Sequence, residues 1–237
     1  DTHVGQRSKN EDWYGISPEV GLFAVADGMG GYEGGEVASR IAVGTLDDVY
    51  RELFDGPAHD DELFLIRSWL DLGFRQAHRA VRRKRTGELA ICGDHVLIGH
   101  IGDSRVYRMR DSELVQLTCD HSLVAAMRAA GISNMVISTK FGHVITRAIG
   151  VSEISDPDIL TERIKGGDKY LLCTDGLTDV VKDTQIAAMM SILPTSEVCS
   201  ALVEEALRRG GEDNITAMIV EARESIFIYR SAAPATL

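Results

Sequence analysis

The 237-residue chain has few cysteines and prolines and lacks a long apolar run. Its four cysteines form no CxxC pair, which argues against a zinc site and against a disulfide framework. They are Cys92, Cys119, Cys173 and Cys199. We expect them to be reduced, buried side chains of a cytoplasmic protein. No apolar stretch approaches the roughly 20 residues of a membrane-spanning helix, and no leader of the secretory type opens the chain, so we expect neither a membrane segment nor secretion.

Positive charge is also scarce, because 25 Lys and Arg stand against 36 Asp and Glu and leave a net charge of -11. A surface of this sign repels phosphate backbones, so we expect no nucleic-acid partner. The basic run RRKR at 82–85 is interpreted as the solvated end of a helix, where positive side chains complement the helix dipole.

Hydrophobic residues make up 44% of the chain, which is enough for one sizeable core. The 23 glycines and only 5 prolines favour a compact fold with many tight turns over domains joined by rigid linkers. We therefore predict a monomer with a single domain over residues 1–230 and a flexible tail over 231–237.

The apolar pattern predicts strand pairs joined by tight turns, followed by helices, and this order occurs twice. The predicted strands lie at 12–16, 21–26, 95–101, 104–109, 113–117, 169–173 and 215–221. The predicted helices lie at 36–54, from about 60 through the basic run, and at 122–130, 183–192 and 196–209. Residues 132–150 are interpreted as a flap with a short return strand. Helices that cluster in this way favour an antiparallel α+β layering over a doubly wound parallel sheet.

Four acids stand at the ends of the apolar strands. Asp27, Asp103 and Asp175 each follow a strand and have a glycine beside them, and Asp213 precedes the last strand. In an antiparallel sheet the end of one strand lies beside the start of its neighbour, so all four acids can share one edge. Each Asp-Gly pair taken singly is more often a hairpin turn.

Carboxylates that are held together shift one another's pKa values unless cations lie among them. A set of hard oxygen donors favours Mg²⁺ or Mn²⁺ over zinc, and Gly28 would let a backbone carbonyl approach the metal. A binuclear site of this kind commonly activates water for in-line attack on phosphorus. Arg7, which precedes Glu11 by four residues, could clamp the phosphate, but as a lone residue it is equally well explained as a surface arginine.

Six motifs, in this order, resemble the metal-dependent protein serine/threonine phosphatases of type 2C, in particular the bacterial branch. They are RSKNED (7–12), DGMGGYEGGEVAS (27–39), GDSR (102–105), DHSLV (120–124), DGLTD (175–179) and GGEDNIT (210–216). The resemblance implies a four-layer α/β/β/α sandwich with a central antiparallel β-sandwich. It also implies hydrolysis of phosphoserine and phosphothreonine by direct attack of a metal-bridging hydroxide. Phosphorylated proteins would be the substrates, and a cognate serine/threonine kinase would be a partner.

The resemblance further implies two tightly held Mn²⁺ or Mg²⁺ ions. Asp27 would bridge them, and Gly28 would offer its carbonyl to one. Asp175 and Asp213 would complete the direct ligands of the other.

The remaining site residues would act around these two ions. Glu11 and Asp12 would hold metal-bound waters, and Arg7 would bind the phosphate. Asp103, together with Asp175, would hold a third, weaker ion, and Asn214 would support the site.

Two features depart from the family pattern. Met29 stands where animal relatives carry a histidine, so another group must protonate the leaving oxygen; His121 and His143 are the nearest candidates by motif, and neither is assigned as catalytic. The Gly-Thr-rich strand expected before GDSR has little room, and ELAIC (88–92) is interpreted as its remnant, with residues missing near 86–93 and 132–140 as one explanation.

Two alternatives to an active protein phosphatase stay open at this point. The shortened middle of the chain would also suit a catalytically weak phosphatase-like module with a regulatory or binding role. A third hypothesis keeps the enzyme but changes its substrate to a small phosphate ester or a phosphorylated anti-sigma antagonist.

Overall fold

A computed structural model describes the chain at residues 1–28, 34–55, 62–80, 85–92, 94–132, 144–149 and 156–223. These residues form ten strands and six helices. The strands are β1 (Thr2–His3), β2 (Trp13–Ser17), β3 (Leu22–Asp27), β4 (Arg85–Cys92), β5 (His95–Ile101), β6 (Arg105–Arg110), β7 (Glu113–Gln116), β8 (Asp158–Arg163), β9 (Lys169–Cys173) and β10 (Ile215–Glu221). The helices are α1 (Gly35–Asp55), α2 (Glu62–Ala80), α3 (Leu123–Ala129), α4 (Asp175–Thr178), α5 (Asp183–Ile192) and α6 (Thr195–Arg208).

The strands form two five-stranded sheets in which every pairing between described strands is antiparallel. The strand order is β1-β10-β9-β6-β7 in the first sheet and β2-β3-β4-β5-β8 in the second. The two sheets pack face to face. Val25 and Ile98 of the second sheet share a buried cluster with Tyr170 and Leu172 of the first.

Alternation along the strands builds the outer layers, because successive side chains of a strand point to opposite faces. In β9, Tyr170 and Leu172 face the other sheet, whereas Leu171 and Cys173 pack with residues of α4, α5 and α6. Helices α1 and α2 cover the outer face of the second sheet in the same way. The result is the expected four-layer α/β/β/α sandwich, so the predicted fold class is confirmed.

Most predicted elements match the described ones to within one or two residues, but three short or polar elements had no sequence signal. β1 has two residues, and α4 has four. β8 alternates partly buried residues with exposed charged and polar ones and carries no continuous apolar run. It is the edge strand of its sheet, where burial on one side demands fewer apolar residues.

The interpretation of 88–92 as the remnant of a strand is wrong. Described α2 ends at Ala80, and Arg85, expected in that helix, opens the eight-residue strand β4. This strand pairs along its length with β3 and β5, so 88–92 is the second part of a complete strand and not a remnant. The sequence pattern extended the predicted helix too far, because long basic side chains occur in helices and in strands alike.

Other sequence-based expectations have mixed outcomes. Cys173 is buried as predicted, but Cys119 is exposed. Of the predicted flap, residues 133–143 and 150 lie outside the described residues, and so does the tail at 231–237. In the described part of the flap, Ile145 makes an isolated bridge with Ser122. None of the helices in the described ranges has the length and apolarity to cross a membrane.

Close packing of helix on sheet makes Gly99 a test of this architecture. A methyl group at Gly99 in β5 would overlap the ring of Phe74 in α2, which is buried. We expect Gly99→Ala to destabilise the protein by about 1–3 kcal/mol through overpacking, measured by urea unfolding. Gly44 in α1 is the matched control, because nothing lies within 4 Å of its added methyl. Gly44→Ala should stabilise the protein by about 0.5–1 kcal/mol. Equal effects of the two substitutions would contradict the described packing.

Candidate metal centre

Strand register brings the predicted acids to one edge of the sandwich. β6 and β9 pair up to Arg105 and Cys173, so two residues further on Asp103 and Asp175 lie across from each other. Asp213 lies just before β10, the other neighbour of β9. This is the shared edge that antiparallel pairing predicted for the four acids.

Three of these acids form the tightest group. Asp27, Asp103 and Asp175 each offer one carboxylate oxygen, and these oxygens lie within 4.8 Å of one another. Asp27 comes from the second sheet, where it ends β3, and the buried Gly28 follows it. The turn that carries Asp103 connects the second sheet to the first, so the group sits where the two sheets meet.

Asp12 lies behind this group and is 4% exposed. The pairing of Trp13 with Ala26 sets it across from Asp27. Its Oδ2 accepts hydrogen bonds from the hydroxyls of Thr174, at 2.9 Å, and Thr216, at 2.7 Å. In the part of the chain that the structure describes, its Oδ1 has no hydrogen-bond partner.

The surroundings of Asp12 destabilise its charged form. Burial raises the pKa of the Asp12 carboxyl to about 7, the two threonine hydrogen bonds oppose this, and the charges of Asp175 and Asp213 add to it. A divalent cation among these carboxylates would reverse the effect. An all-oxygen donor set of this kind fits Mg²⁺ or Mn²⁺.

Asp213 stands outside the tightest group and is held by its neighbours. Its Oδ2 accepts from Arg7 Nη2 at 2.8 Å, and its Oδ1 accepts from the Asn214 N–H at 2.8 Å. Arg7 also donates through Nε to the Glu212 carbonyl at 3.2 Å. The guanidinium therefore lies at the rim of the acid edge with its side chain 59% exposed, which leaves it accessible to a ligand.

Glu11 enters from the other side of the edge. Its carboxyl group lies against Gly35 at the start of α1, where any Cβ would overlap it. The hydroxyl of Ser39 donates to the Glu11 carbonyl at 2.6 Å, and the Glu11 N–H donates to Asn214 Oδ1 at 2.7 Å. The backbone N–H and the backbone carbonyl of Glu11 are thus both held by hydrogen bonds.

Asn214 ties the N-terminal segment to the first sheet. Its side chain is buried, and its Nδ2 donates to the carbonyls of Val4, at 2.8 Å, and Lys9, at 2.9 Å. With the bond from Glu11, these contacts hold the loop that carries Arg7. The supporting role implied for Asn214 thus corresponds to a set of hydrogen bonds.

Sequence reasoning overlooked two residues that the site needs. Thr174, which lies between β9 and α4, and Thr216 in β10 both have buried hydroxyls, and Thr174 Oγ1 also accepts from the Thr216 N–H at 3.0 Å. The available signal was a polar residue at an inward-facing position next to a candidate acid. Met29 and His143, which the sequence singled out, lie outside the described residues.

Comparison with known proteins gives consistent matches. A family model described as protein phosphatase 2C matches residues 1–210. The serine/threonine protein phosphatase PstP of Mycobacterium tuberculosis is 32% identical over 234 residues, which cover 91% of this chain and 42% of that protein. Protein phosphatase PhpP of Streptococcus pneumoniae is 32% identical over 244 residues, which cover 94% of this chain and 96% of that protein. This chain thus spans less than half of PstP and nearly all of PhpP.

A solved structure matches in three dimensions as well. The crystal structure of the catalytic domain of PstP in complex with two manganese ions superimposes with a TM-score of 0.79 at 31% identity. The match covers 94% of this chain and 96% of that one.

The hydrogen bonds of Asn214 lead to a stability prediction. Asn214→Ala leaves two carbonyls and one N–H without their partner, so we expect it to lower the free energy of unfolding by roughly 2–3 kcal/mol in urea titrations. Gln6 is the control, because its side chain makes one exposed bond to the Gly210 carbonyl at 2.6 Å. Gln6→Ala should change stability by about 0.5 kcal/mol or less. A loss at Asn214 no larger than that at Gln6 would rule out the anchoring role.

Proposed function

The chain belongs to the protein phosphatase 2C family, and on this premise we propose that it is a metal-dependent protein serine/threonine phosphatase. The observation that carries the proposal is the group of carboxylates from Asp27, Asp103 and Asp175 at the junction of the sheets. The buried carboxyl of Asp12 behind it adds a fourth acid, which a bound cation would stabilise in its charged form.

We propose the following cation ligands. Asp27 and the Gly28 carbonyl would serve one ion, and Asp27, Asp175 and Asp213 the other. Bound there, two divalent ions would activate water for in-line attack on phosphorus and neutralise the charge that develops on the phosphoryl oxygens. Manganese in the PstP structure supports Mn²⁺ as the first ion to test, with Mg²⁺ as the alternative.

The remaining site residues would act around these ions. Glu11 and Asp12 would accept hydrogen bonds from water at the edge of the site. Asp103, with Asp175, would hold a third, weaker ion, as the shared carboxylate group supports.

Arg7 would bind the phosphoryl group of the substrate. Its guanidinium already lies 2.8 Å from the Asp213 carboxylate, so a phosphate held by Arg7 would lie next to the candidate ions. A planar guanidinium matches two phosphate oxygens at once, which orients the phosphoryl group as well as attracting it. Met29 has no proton to give to the leaving oxygen, and the chain's own proton donor is left unassigned.

We further propose phosphorylated proteins as substrates, with a cognate serine/threonine kinase as the opposing enzyme. The single domain over 1–230, the monomeric state and the cytoplasmic location stay predictions. The complete strand β4 supports an active enzyme over the alternative of a non-catalytic module.

Metal dependence gives the first test of the proposal. With Mn²⁺ we expect hydrolysis of p-nitrophenyl phosphate and of phosphothreonine peptides, and with excess EDTA we expect none. Asp27→Asn should lower kcat/KM roughly 100-fold or more, because it removes charge from the shared ligand. Asp111→Asn is the control, since Asp111 lies in the turn at the opposite end of β6 and its φ of 51° suits asparagine. Full activity in EDTA or in Asp27→Asn would sink the proposal.

Arg7 gives the second test. Arg7→Ala should lose about 1.5–3 kcal/mol of phosphate interaction, which is roughly 10- to 100-fold in kcat/KM. Arg7→Lys should lose less, because it keeps the charge but not the two-point geometry. Arg163 is a matched control, as it makes a similar ion pair with Asp94, at 2.7 Å, at the far end of the second sheet. An equal effect of Arg7→Ala and Arg163→Ala on kcat/KM would show that Arg7 is only a surface arginine.

A further inference from the structure

The turn that carries Asp103 is held by two hydrogen bonds to one histidine, His121. The Gly102 N–H donates to His121 Nδ1 at 3.0 Å, and the Gly102 carbonyl accepts from the His121 N–H at 2.7 Å. Gly102 has a φ of 111°, in a region that glycine adopts readily because it has no side chain to clash there. Both backbone polar groups of Gly102, the residue before Asp103, are therefore bound by a single residue.

The contact to Nδ1 indicates which ring nitrogen of His121 carries the proton. A neutral imidazole has one donor and one acceptor nitrogen, so accepting at Nδ1 places the hydrogen on Nε2. Nε2 lies 2.9 Å from Asp158 Oδ2, which can accept that hydrogen, but it also lies 2.5 Å from Arg147 Nη2, which can only donate and would favour the other tautomer. Burial lowers the pKa of His121, the Asp158 carboxylate opposes this and the Arg147 charge adds to it, in keeping with a neutral ring.

Asp158 is in turn held by Arg147. The guanidinium donates to both carboxylate oxygens, through Nη1 to Oδ1 at 3.0 Å and through Nη2 to Oδ2 at 3.1 Å. The segment that carries Arg147 is itself joined to His121, because the Thr146 N–H donates to the His121 carbonyl at 2.8 Å. On the other side of the ring, the buried His100 packs with its centroid 4.7 Å away.

His100, His121 and Asp158 lie close enough together to ligate a metal ion, but the hydrogen bonds favour another role. A proton on Nε2 would leave that nitrogen without a lone pair for a metal ion. The Asp158 carboxylate already forms an ion pair with the Arg147 guanidinium. Arg147, Asp158 and His121 thus form a chain of hydrogen bonds that ends at Gly102. His100 takes no part in it, because neither of its ring nitrogens has a hydrogen-bond partner among the described residues.

We propose that His121 is a positioning residue that aims the Asp103 carboxylate at Asp27 and Asp175 by clamping Gly102. Asp158, which Arg147 holds in place, keeps His121 in the tautomer that can do so by accepting from Nε2. This inference rests on the proposed function, since Asp103 matters there as a ligand of the weaker third ion. Groups behind a metal ligand commonly set its orientation and affinity in this way.

Four variants separate the clamp from general packing. His121→Leu removes both ring contacts. His121→Asn keeps an acceptor where Nδ1 lies, whereas His121→Gln places its amide nearer the Nε2 position. Asp158→Ala leaves the ring in place but removes the acceptor for Nε2, and Asp158 is half exposed, so this variant should fold.

The first measurement concerns the folded wild-type protein directly. A long-range ¹H–¹⁵N spectrum of the histidine rings reports which nitrogen carries the proton, and we expect Nε2–H for His121. The Gly102 amide should be protected from hydrogen exchange in wild type and His121→Asn but not in His121→Leu or His121→Gln. A proton on Nδ1 in the wild type would overturn the proposal.

The second measurement is Mn²⁺ binding by calorimetry, with Asp103→Ala as the benchmark for loss of the weaker ion. We expect His121→Leu and His121→Gln to weaken that ion roughly tenfold and to leave the tighter binding unchanged. Asp158→Ala should change it in the same direction by less, and His121→Asn should behave as wild type.

The outcomes distinguish failure of the positioning role of His121 from failure of the proposed phosphatase function. Unchanged weak binding in His121→Gln and Asp158→Ala, in a wild type that binds Mn²⁺ and hydrolyses phosphopeptides, overturns the positioning role alone. A wild type that neither binds Mn²⁺ nor hydrolyses phosphopeptides overturns the proposed function itself.

Discussion

Electrostatic repulsion among carboxylates at one end of the β-sandwich is the constraint on which the rest of the structure depends. Several negative charges at this edge raise each other's free energy, and Asp12 is almost fully removed from water as well. Such groups stay in place only if the backbone holds them there and if something positive balances them. Antiparallel pairing supplies the first condition, and the proposed cations supply the second.

The two sheets contribute different parts of this edge. The second sheet brings Asp27 at the end of β3, and the first brings the residues that flank β9 and β10. Thr174 and Thr216 link the sheets at this point, because both hydroxyls donate to the carboxylate of Asp12, which precedes β2. A change in the angle between the sheets would therefore move the acids relative to one another, so the sandwich core stabilises the site as well as the fold.

The acid edge could be predicted from sequence because its cause is local. An acid beside a glycine at the end of an apolar strand is visible in one dimension, and antiparallel pairing then brings strand ends and starts together. The complete strand β4 could not be recognised, because helical periodicity and a basic run masked its beginning at Arg85. The contacts of Asn214 and Thr216 were equally hidden, since each joins residues about 200 positions apart that only the tertiary fold brings together.

Anomalous diffraction can show directly whether the carboxylates at this edge hold divalent cations. Crystals grown with Mn²⁺ would be measured on both sides of the manganese absorption edge. We expect at least two strong anomalous peaks within ligand distance of Asp27, one of them shared with Asp175 and Asp213. Manganese peaks only elsewhere on the protein, with none among these carboxylates, would contradict this expectation.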